Sequence, residues 1–76
     1  MVRAFITVKT EPGRAEAFSE TVGDLENVAA VTVVAGDFDV MIEAEAEEVY
    51  ELINTVATRV RDFEEIQETK TYVCLE

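Results

Sequence analysis

Residues 28–44 read VAAVTVVAGDFDVMIEA, and this stretch decides the fold. Two apolar runs, 28–35 and 38–44, flank the turn-forming pair Gly36-Asp37, so the pattern predicts a β-hairpin. The second run alternates between apolar and polar residues, and its apolar face carries Phe38, Val40 and Ile42. The first run is apolar at nearly every position, which predicts a strand that is covered on both faces.

The segments on either side of the hairpin each predict one strand and one helix. Alternating residues over 3–9 and 66–75 predict the first and last strands. Apolar residues recur at helical spacing over about 13–23 and about 46–62. Gly23 is predicted to end the first helix in a left-handed conformation. The second helix carries an apolar stripe formed by Val49, Leu52, Ile53, Val56, Val60 and Phe63.

The resulting order, β-α-β-β-α-β, predicts an α+β, ferredoxin-like fold within one domain spanning residues 1–76. Four antiparallel strands form the sheet, and both helices pack on one of its faces. A chain this short buries only about 60% of the surface that its unfolded form exposes, so it needs further stabilisation. The other sheet face is therefore predicted to dimerise, which gives a dimeric α/β barrel.

Composition excludes several classes of function. The chain has 17 acidic and 6 basic residues, no histidine and a net charge of −11. Direct nucleic-acid binding needs clustered cations and is not expected. One thiol and no histidine argue against a zinc site or histidine-based catalysis, so no metal and no cofactor are expected.

The sequence also predicts the cellular location of the protein. No apolar run approaches the about 18–20 residues that span a bilayer, and no leader precedes the first strand, so we expect a cytoplasmic protein without membrane contact. The acidic surface fits an ordinary cytosolic protein or a high-salt cytoplasm, and both interpretations stay open.

Three segments resemble the ligand-binding domain of the Lrp/AsnC family of transcription regulators, also called the RAM domain. They are the 34–42 hairpin, the 25–28 link and the 66–73 strand, in which two threonines flank Lys70. The family often has proline and glycine at the middle two positions of the link, where this chain has Glu26 and Asn27. Full members begin with a helix-turn-helix domain, so this chain is expected to be a stand-alone form.

The resemblance implies a regulatory function. In the dimers of this family, the sheets of the two subunits stack face to face, and the dimers join into larger assemblies. A small effector, usually an amino acid, binds at contacts between dimers. The expected partners are further copies of the chain and a full-length DNA-binding relative. The chain would then be an effector-sensing, oligomerising module that modulates transcription and is not an enzyme.

The predicted ligand site combines the hairpin turn with the last strand, and its residues are Gly36, Asp37, Phe38, Asp39, Thr69 and Thr71. The carboxylate of Asp39 can accept the ammonium group of an amino acid. Backbone N–H groups of the turn can bind the carboxylate of the ligand, and the two threonines present their hydroxyls on one side of the strand. Each residue also has a structural interpretation, as a turn former, a core aromatic or a strand former.

Two other functions stay open. Small monooxygenases and isomerases also use dimeric ferredoxin-like domains, but their chemistry usually relies on His, Asn, Trp or Tyr in a pocket. This chain has neither His nor Trp. An assembly-only interaction protein would form defined oligomers without responding to a ligand. Cys74 has no histidine to activate it, so we expect a buried, inert thiol and no catalytic residue.

Overall fold

The computed structural model describes residues 1–75, apart from the side chain of Thr55. The elements follow the predicted order: β1 (Val2–Thr10), α1 (Ala15–Val22), β2 (Val28–Val33), β3 (Val40–Ala46), α2 and β4 (Ile66–Val73). The helix α2 is continuous and has three segments: Val49–Glu51, the π-helical Leu52–Ala57, and Thr58–Arg61. Within the described part of the chain, neither helix combines the length and the apolar character needed to cross a membrane.

The four strands form one antiparallel sheet in the order β2-β3-β1-β4. Val8 in β1 lies opposite Val40 in β3, so the apolar residues of the two central strands share one face. Both helices pack on this face. The largest fully buried side chains lie between the sheet and the helices: Phe18, Ile6, Ile42, Leu52, Val8, Val22, Val40, Val56 and Val60. The predicted ferredoxin-like fold is confirmed.

A bulge in β2 explains why apolar residues in this strand do not alternate strictly with polar ones. The register of β2 on β3 shifts between Val28 and Ala30, so Val28 and Val31 both pack against the core although they are three residues apart. This strand lies at the edge of the sheet and contributes Ala30 and Thr32 to the open face. Ala30 is an apolar residue on that face, and the predicted cover of the face by another subunit stays a prediction.

A second bulge lies where β1 and β4 pair. Lys9 is opposite Glu68, but Thr10 is opposite Ile66, so Gln67 is an extra residue in β4. Ile66 therefore turns towards the core and packs against it. The predicted alternation, which placed Ile66 and Glu68 on the same face, is wrong at this point.

Asn27 provides the left-handed backbone that was predicted at Gly23. Gly23 has a φ of −62°, whereas Asn27 has a φ of 71°, a conformation that asparagine tolerates. The Asn27 side chain donates a hydrogen bond to the carbonyl of Glu45 at 2.9 Å. In return, the Glu45 N–H donates to the carbonyl of Asn27 at 2.8 Å. These two hydrogen bonds hold the 25–28 link against β3.

The predicted apolar stripe of α2, which contains a π-helical segment, is only partly buried. Leu52, Val56 and Val60 are buried, as predicted. Val49 and Ile53 are instead exposed. A π turn contains more residues than an α turn, so the residues before it are rotated relative to those after it.

Candidate ligand-binding site

The sheet face opposite the helices is open, and its side chains form two rows across the four strands. The strand register aligns Ala30, Glu43, Phe5 and Tyr72 in the first row. It aligns Thr32, Met41, Thr7 and Lys70 in the second. Phe5 and Met41 contribute apolar side chains at the centre of the face, and Glu43 lies opposite Phe5 on the central strand β3.

The strands of this open face are electrically balanced. They carry three of the six cations and three of the seventeen carboxylates: Arg3, Lys9, Lys70, Glu43, Glu45 and Glu68. Arg3 lies opposite Glu45, and Lys9 lies opposite Glu68, an arrangement that favours strand pairing. The rest of the chain therefore carries the whole net charge of −11.

A hollow of about 180 Å³ opens on this face beside the hairpin turn. Its lining residues are Thr7, Lys9, Asp37, Phe38, Glu68, Lys70 and Tyr72. They supply two ammonium groups, two carboxylates and two aromatic rings. Pockets that hold drug-sized ligands measure roughly 300–1,000 Å³. This smaller hollow therefore suits a molecule of about the size of an amino acid.

The charged groups of the hollow differ in how they are engaged. Lys70 Nζ lies 3.8 Å from Glu68 Oε2 in an exposed ion pair, which is weak in solvent. Among the described residues, no carboxylate lies within 4.0 Å of the Lys9 ammonium and no cation lies within 4.0 Å of Asp37. A free ammonium and a free carboxylate at one hollow complement the two ends of a zwitterion.

The hairpin turn positions Phe38 at this hollow. The N–H of Val34 donates to the carbonyl of Asp39 at 2.8 Å and closes the turn. Gly36 has a φ of +153°, which residues with a side chain rarely adopt. The strand β3 begins only at Val40. Phe38 is therefore outside the strand and lines the open-face hollow, so its predicted place beside Val40 on the core face is wrong.

Asp39 has a structural role at the edge of the sheet. Its Oδ2 accepts a hydrogen bond of 2.9 Å from the backbone N–H of Thr10. The pairing of β1 with β3 ends at Val8 and Val40, so the carboxylate supplies a partner that the strand ladder lacks. Asp39 does not line the hollow. The structural interpretation of this residue is supported, and its contact with a ligand stays a prediction.

Thr69 and Thr71 lie on the other side of the sheet from the hollow. Their partners in β1 are Val8 and Ile6, whose side chains belong to the core. A single protomer therefore does not bring the two threonines together with the turn residues at the hollow. Their role in ligand binding also stays a prediction.

Five lining residues of the hollow were not among the predicted site residues: Thr7, Lys9, Glu68, Lys70 and Tyr72. They come from the first and last strands. Register makes them neighbours, because Thr7 lies opposite Lys70 and Lys9 lies opposite Glu68. The polar residues alternating along both strands were a signal for an exposed face. The sequence pattern did not show which strands pair.

Cys74 lies just beyond β4 and is partly exposed, so the prediction of a buried thiol is wrong. Its N–H donates to the carbonyl of Arg3 at 2.8 Å. Across residues 1–75, no group of three or more carboxylate or thiol side chains has a geometry suited to a metal ion.

Replacing Asp39 tests its structural role. Asp39→Asn keeps an oxygen that accepts from the Thr10 N–H, so we expect little change in Tm. Asp39→Ala leaves this N–H unpaired in a residue that is only 5% exposed, which costs about 1–3 kcal/mol of the free energy of unfolding. Thermal unfolding followed by circular dichroism measures both variants. Equal losses of Tm in the two variants would contradict the hydrogen-bonding role.

The fold and the uncovered sheet face define a class, the ferredoxin-like domains with two helices on one side of a four-stranded sheet. The sequence profile of the Lrp/AsnC ligand binding domain matches residues 3–76. The chain therefore belongs to the Lrp/AsnC ligand-binding domain family, and the resemblance noted in the sequence is confirmed.

Solved structures share this fold over the full chain. TTHA0845 from Thermus thermophilus is 26% identical, with a TM-score of 0.92 over 100% of this chain and 95% of that one. The hypothetical protein PHS023 from Pyrococcus horikoshii is 28% identical, with a TM-score of 0.90 over 100% and 92% of the two chains.

A larger regulator contains the same fold as one part of its chain. The transcriptional regulator NMB0573 from Neisseria meningitidis was solved in complex with L-Met. It is 18% identical, with a TM-score of 0.83 over 99% of this chain and 50% of that one, and it shows the fold alone. A comparison with curated proteins finds no match.

Proposed function

We propose that this protein is an effector-sensing, self-assembling regulatory module that binds a zwitterion of amino-acid size in the open-face hollow. The observation that carries this proposal is the placement of Lys9 and Asp37, both without an ion pair among the described residues, at one hollow with two aromatic rings. Lys9 would bind the ligand carboxylate, and Asp37 would bind its ammonium group. Phe38 and Tyr72 would pack against its side chain.

The open sheet face would also be the contact between two copies of the chain. A charge-balanced face limits the repulsion that a net charge of −11 would otherwise cause between copies. The contact would bury apolar surface of Phe5, Met41 and Tyr72 against the partner. This burial would stabilise a chain that is too short to bury much surface alone.

Ligand binding and assembly would be coupled by the position of the hollow. It lies beside β4, which is an edge strand, and therefore at the margin of the open face. A second protomer on this face would cover the hollow and contact the bound ligand. A ligand that binds the assembled state more tightly shifts the equilibrium towards assembly.

The readout would be transcriptional and would take place in the cytoplasm. The complex of the Neisseria regulator with L-Met supports an amino acid as the ligand class. Assemblies of this chain, or mixed assemblies with a full-length DNA-binding relative, would transmit the state of the ligand. The excess of carboxylates supports an indirect action that leaves contact with nucleic acid to the relative. The ligand would be released unchanged, without catalysis.

A thermal-unfolding screen against the common amino acids, in dilute buffer and in molar KCl, tests the ligand. A ligand at about 100 times its Kd adds about 2.7 kcal/mol of stability. For a domain of this size, the expected rise in Tm is roughly ten degrees or more. Lys9→Met and Asp37→Asn should each abolish the rise. Arg14→Gln, which removes an exposed cation outside the hollow, should retain it.

Other outcomes of the screen would favour the alternatives. An oligomeric protein that responds to no amino acid would favour an assembly-only function. A rise in Tm that persists in both hollow variants would contradict the proposed site. Chemical conversion of the bound compound, followed by NMR, would favour an enzyme.

A further inference from the structure

We propose that the outer face of α2 is a docking surface for a basic, amphipathic polypeptide segment, separate from the open sheet face. Three apolar side chains near the start of α2, those of Val49, Tyr50 and Ile53, are 43%, 60% and 44% exposed. Val49 and Tyr50 lie four and three residues before Ile53 along one helix, so the three form one contiguous patch. Single exposed apolar residues are ordinary, whereas contiguous groups mark interaction sites.

The patch adjoins the π-helical segment of α2, which begins at Leu52. The backbone N–H of Thr58 donates to the carbonyl of Ile53, five residues earlier. The Thr58 hydroxyl donates to the same carbonyl at 2.9 Å. Leu52 and Val56 of this segment are buried, whereas Val49 and Ile53 are exposed. Such π-helical turns are rare and occur frequently at functional sites.

The charges around the patch indicate the chemistry of its partner. Glu47 and Glu48 precede it, and Glu51 lies within it along the chain. Among the described residues, no Lys or Arg side chain lies within 4.0 Å of these carboxylates. The same patch on a second copy would bring like charges together. A partner segment with Lys or Arg around apolar side chains complements both the apolar patch and the carboxylates beside it.

The geometry also separates this contact from the proposed assembly contact. The helix α2 packs on the covered face of the sheet, so its outer surface stays free when two copies meet through the open face. Tyr50 is the most exposed of the three apolar residues. Tyrosine is enriched among the residues that dominate binding energy, so Tyr50 is the expected anchor.

The probe for this surface is a synthetic amphipathic peptide of Leu and Lys at helical spacing, with binding measured by fluorescence anisotropy. We expect binding that weakens as salt is raised. A peptide with Glu in place of Lys should not bind. The double variant Tyr50→Ser/Ile53→Ser should lower the affinity by about tenfold or more, a loss expected for an interface anchor. Circular dichroism checks that this variant is folded.

The contribution of the carboxylates is tested by a variant with Glu47→Gln, Glu48→Gln and Glu51→Gln. The matched control removes the same charge from an exposed region elsewhere, with Glu16→Gln, Glu20→Gln and Glu26→Gln. We expect the affinity to fall in the first variant and to change much less in the control.

Three results would overturn this proposal. The first is no binding of the Leu–Lys peptide by the unaltered protein. The second is an equal loss of affinity in both charge variants, which would show attraction to net charge alone. The third is a lower assembly mass of the folded Tyr50→Ser/Ile53→Ser protein, which would make the patch a contact between copies.

Discussion

Phe18→Ala should lower the free energy of unfolding by about 3–5 kcal/mol. Phe18 lies on α1, is 1% exposed, and its ring meets that of Phe63 edge to face with centroids 5.2 Å apart. Such a pair contributes about 0.5–1.5 kcal/mol beyond the area that it buries. Small domains have about 5–15 kcal/mol in total. This single change would therefore remove a large part of the stability of the protein.

Urea denaturation followed by circular dichroism measures the loss, in molar KCl and at protein concentrations low enough to keep the protein monomeric. The matched control is Phe5→Ala, which removes the same side chain from the half-buried open face. We expect this control to cost clearly less under monomeric conditions. Equal losses in the two variants would contradict the placement of the core between the helices and one face of the sheet.

Phe5→Glu is expected to dissociate the proposed dimer while each protomer stays folded. Phe5 is central on the open face, so the substitution places a carboxylate where the partner would exclude water. An unpaired buried charge costs several kcal/mol. In a twofold-symmetric dimer both subunits present the same surface, so the substituted residue occurs twice in the contact. The dissociation constant of the dimer should therefore rise by about a thousandfold or more.

Sedimentation over a range of protein concentrations measures this change in mass. The control is Val49→Glu, which introduces the same charge at an exposed apolar position on α2. We expect this variant to keep the mass of the unaltered protein. If Phe5→Glu keeps the assembly and Val49→Glu dissociates it, the copies meet through the helices. The charge-balanced sheet face would then not be the contact between copies.

Much of the fold was predictable because local patterns encode local geometry. The alternation over residues 3–9 predicts one strand face formed by Ala4, Ile6 and Val8, and all three are buried. The turn at Gly36 separates two strands that pair in the sheet. Helical spacing identified both helices to within a few residues. Each of these features depends on neighbours along the chain, which a single sequence displays.

The candidate site was predictable only in part. Asp37 and Phe38 line the hollow, but the sequence pattern placed Phe38 in the core. Asp39 instead accepts a hydrogen bond from the Thr10 backbone. The hollow takes Lys9 and further residues from β1 and β4, strands at the two ends of the chain. Periodicity shows which way each of these side chains faces, but not which strand lies beside it.

The sequence by itself determined the order of the elements, the core face of the central strands and the membership of the family. The tertiary structure decided the two bulges, the left-handed Asn27 and the π turn before Thr58. Each of these departs from a regular period by one residue or one dihedral angle. Such departures persist only when contacts with distant segments outweigh their local cost. Those contacts exist only once the chain has folded.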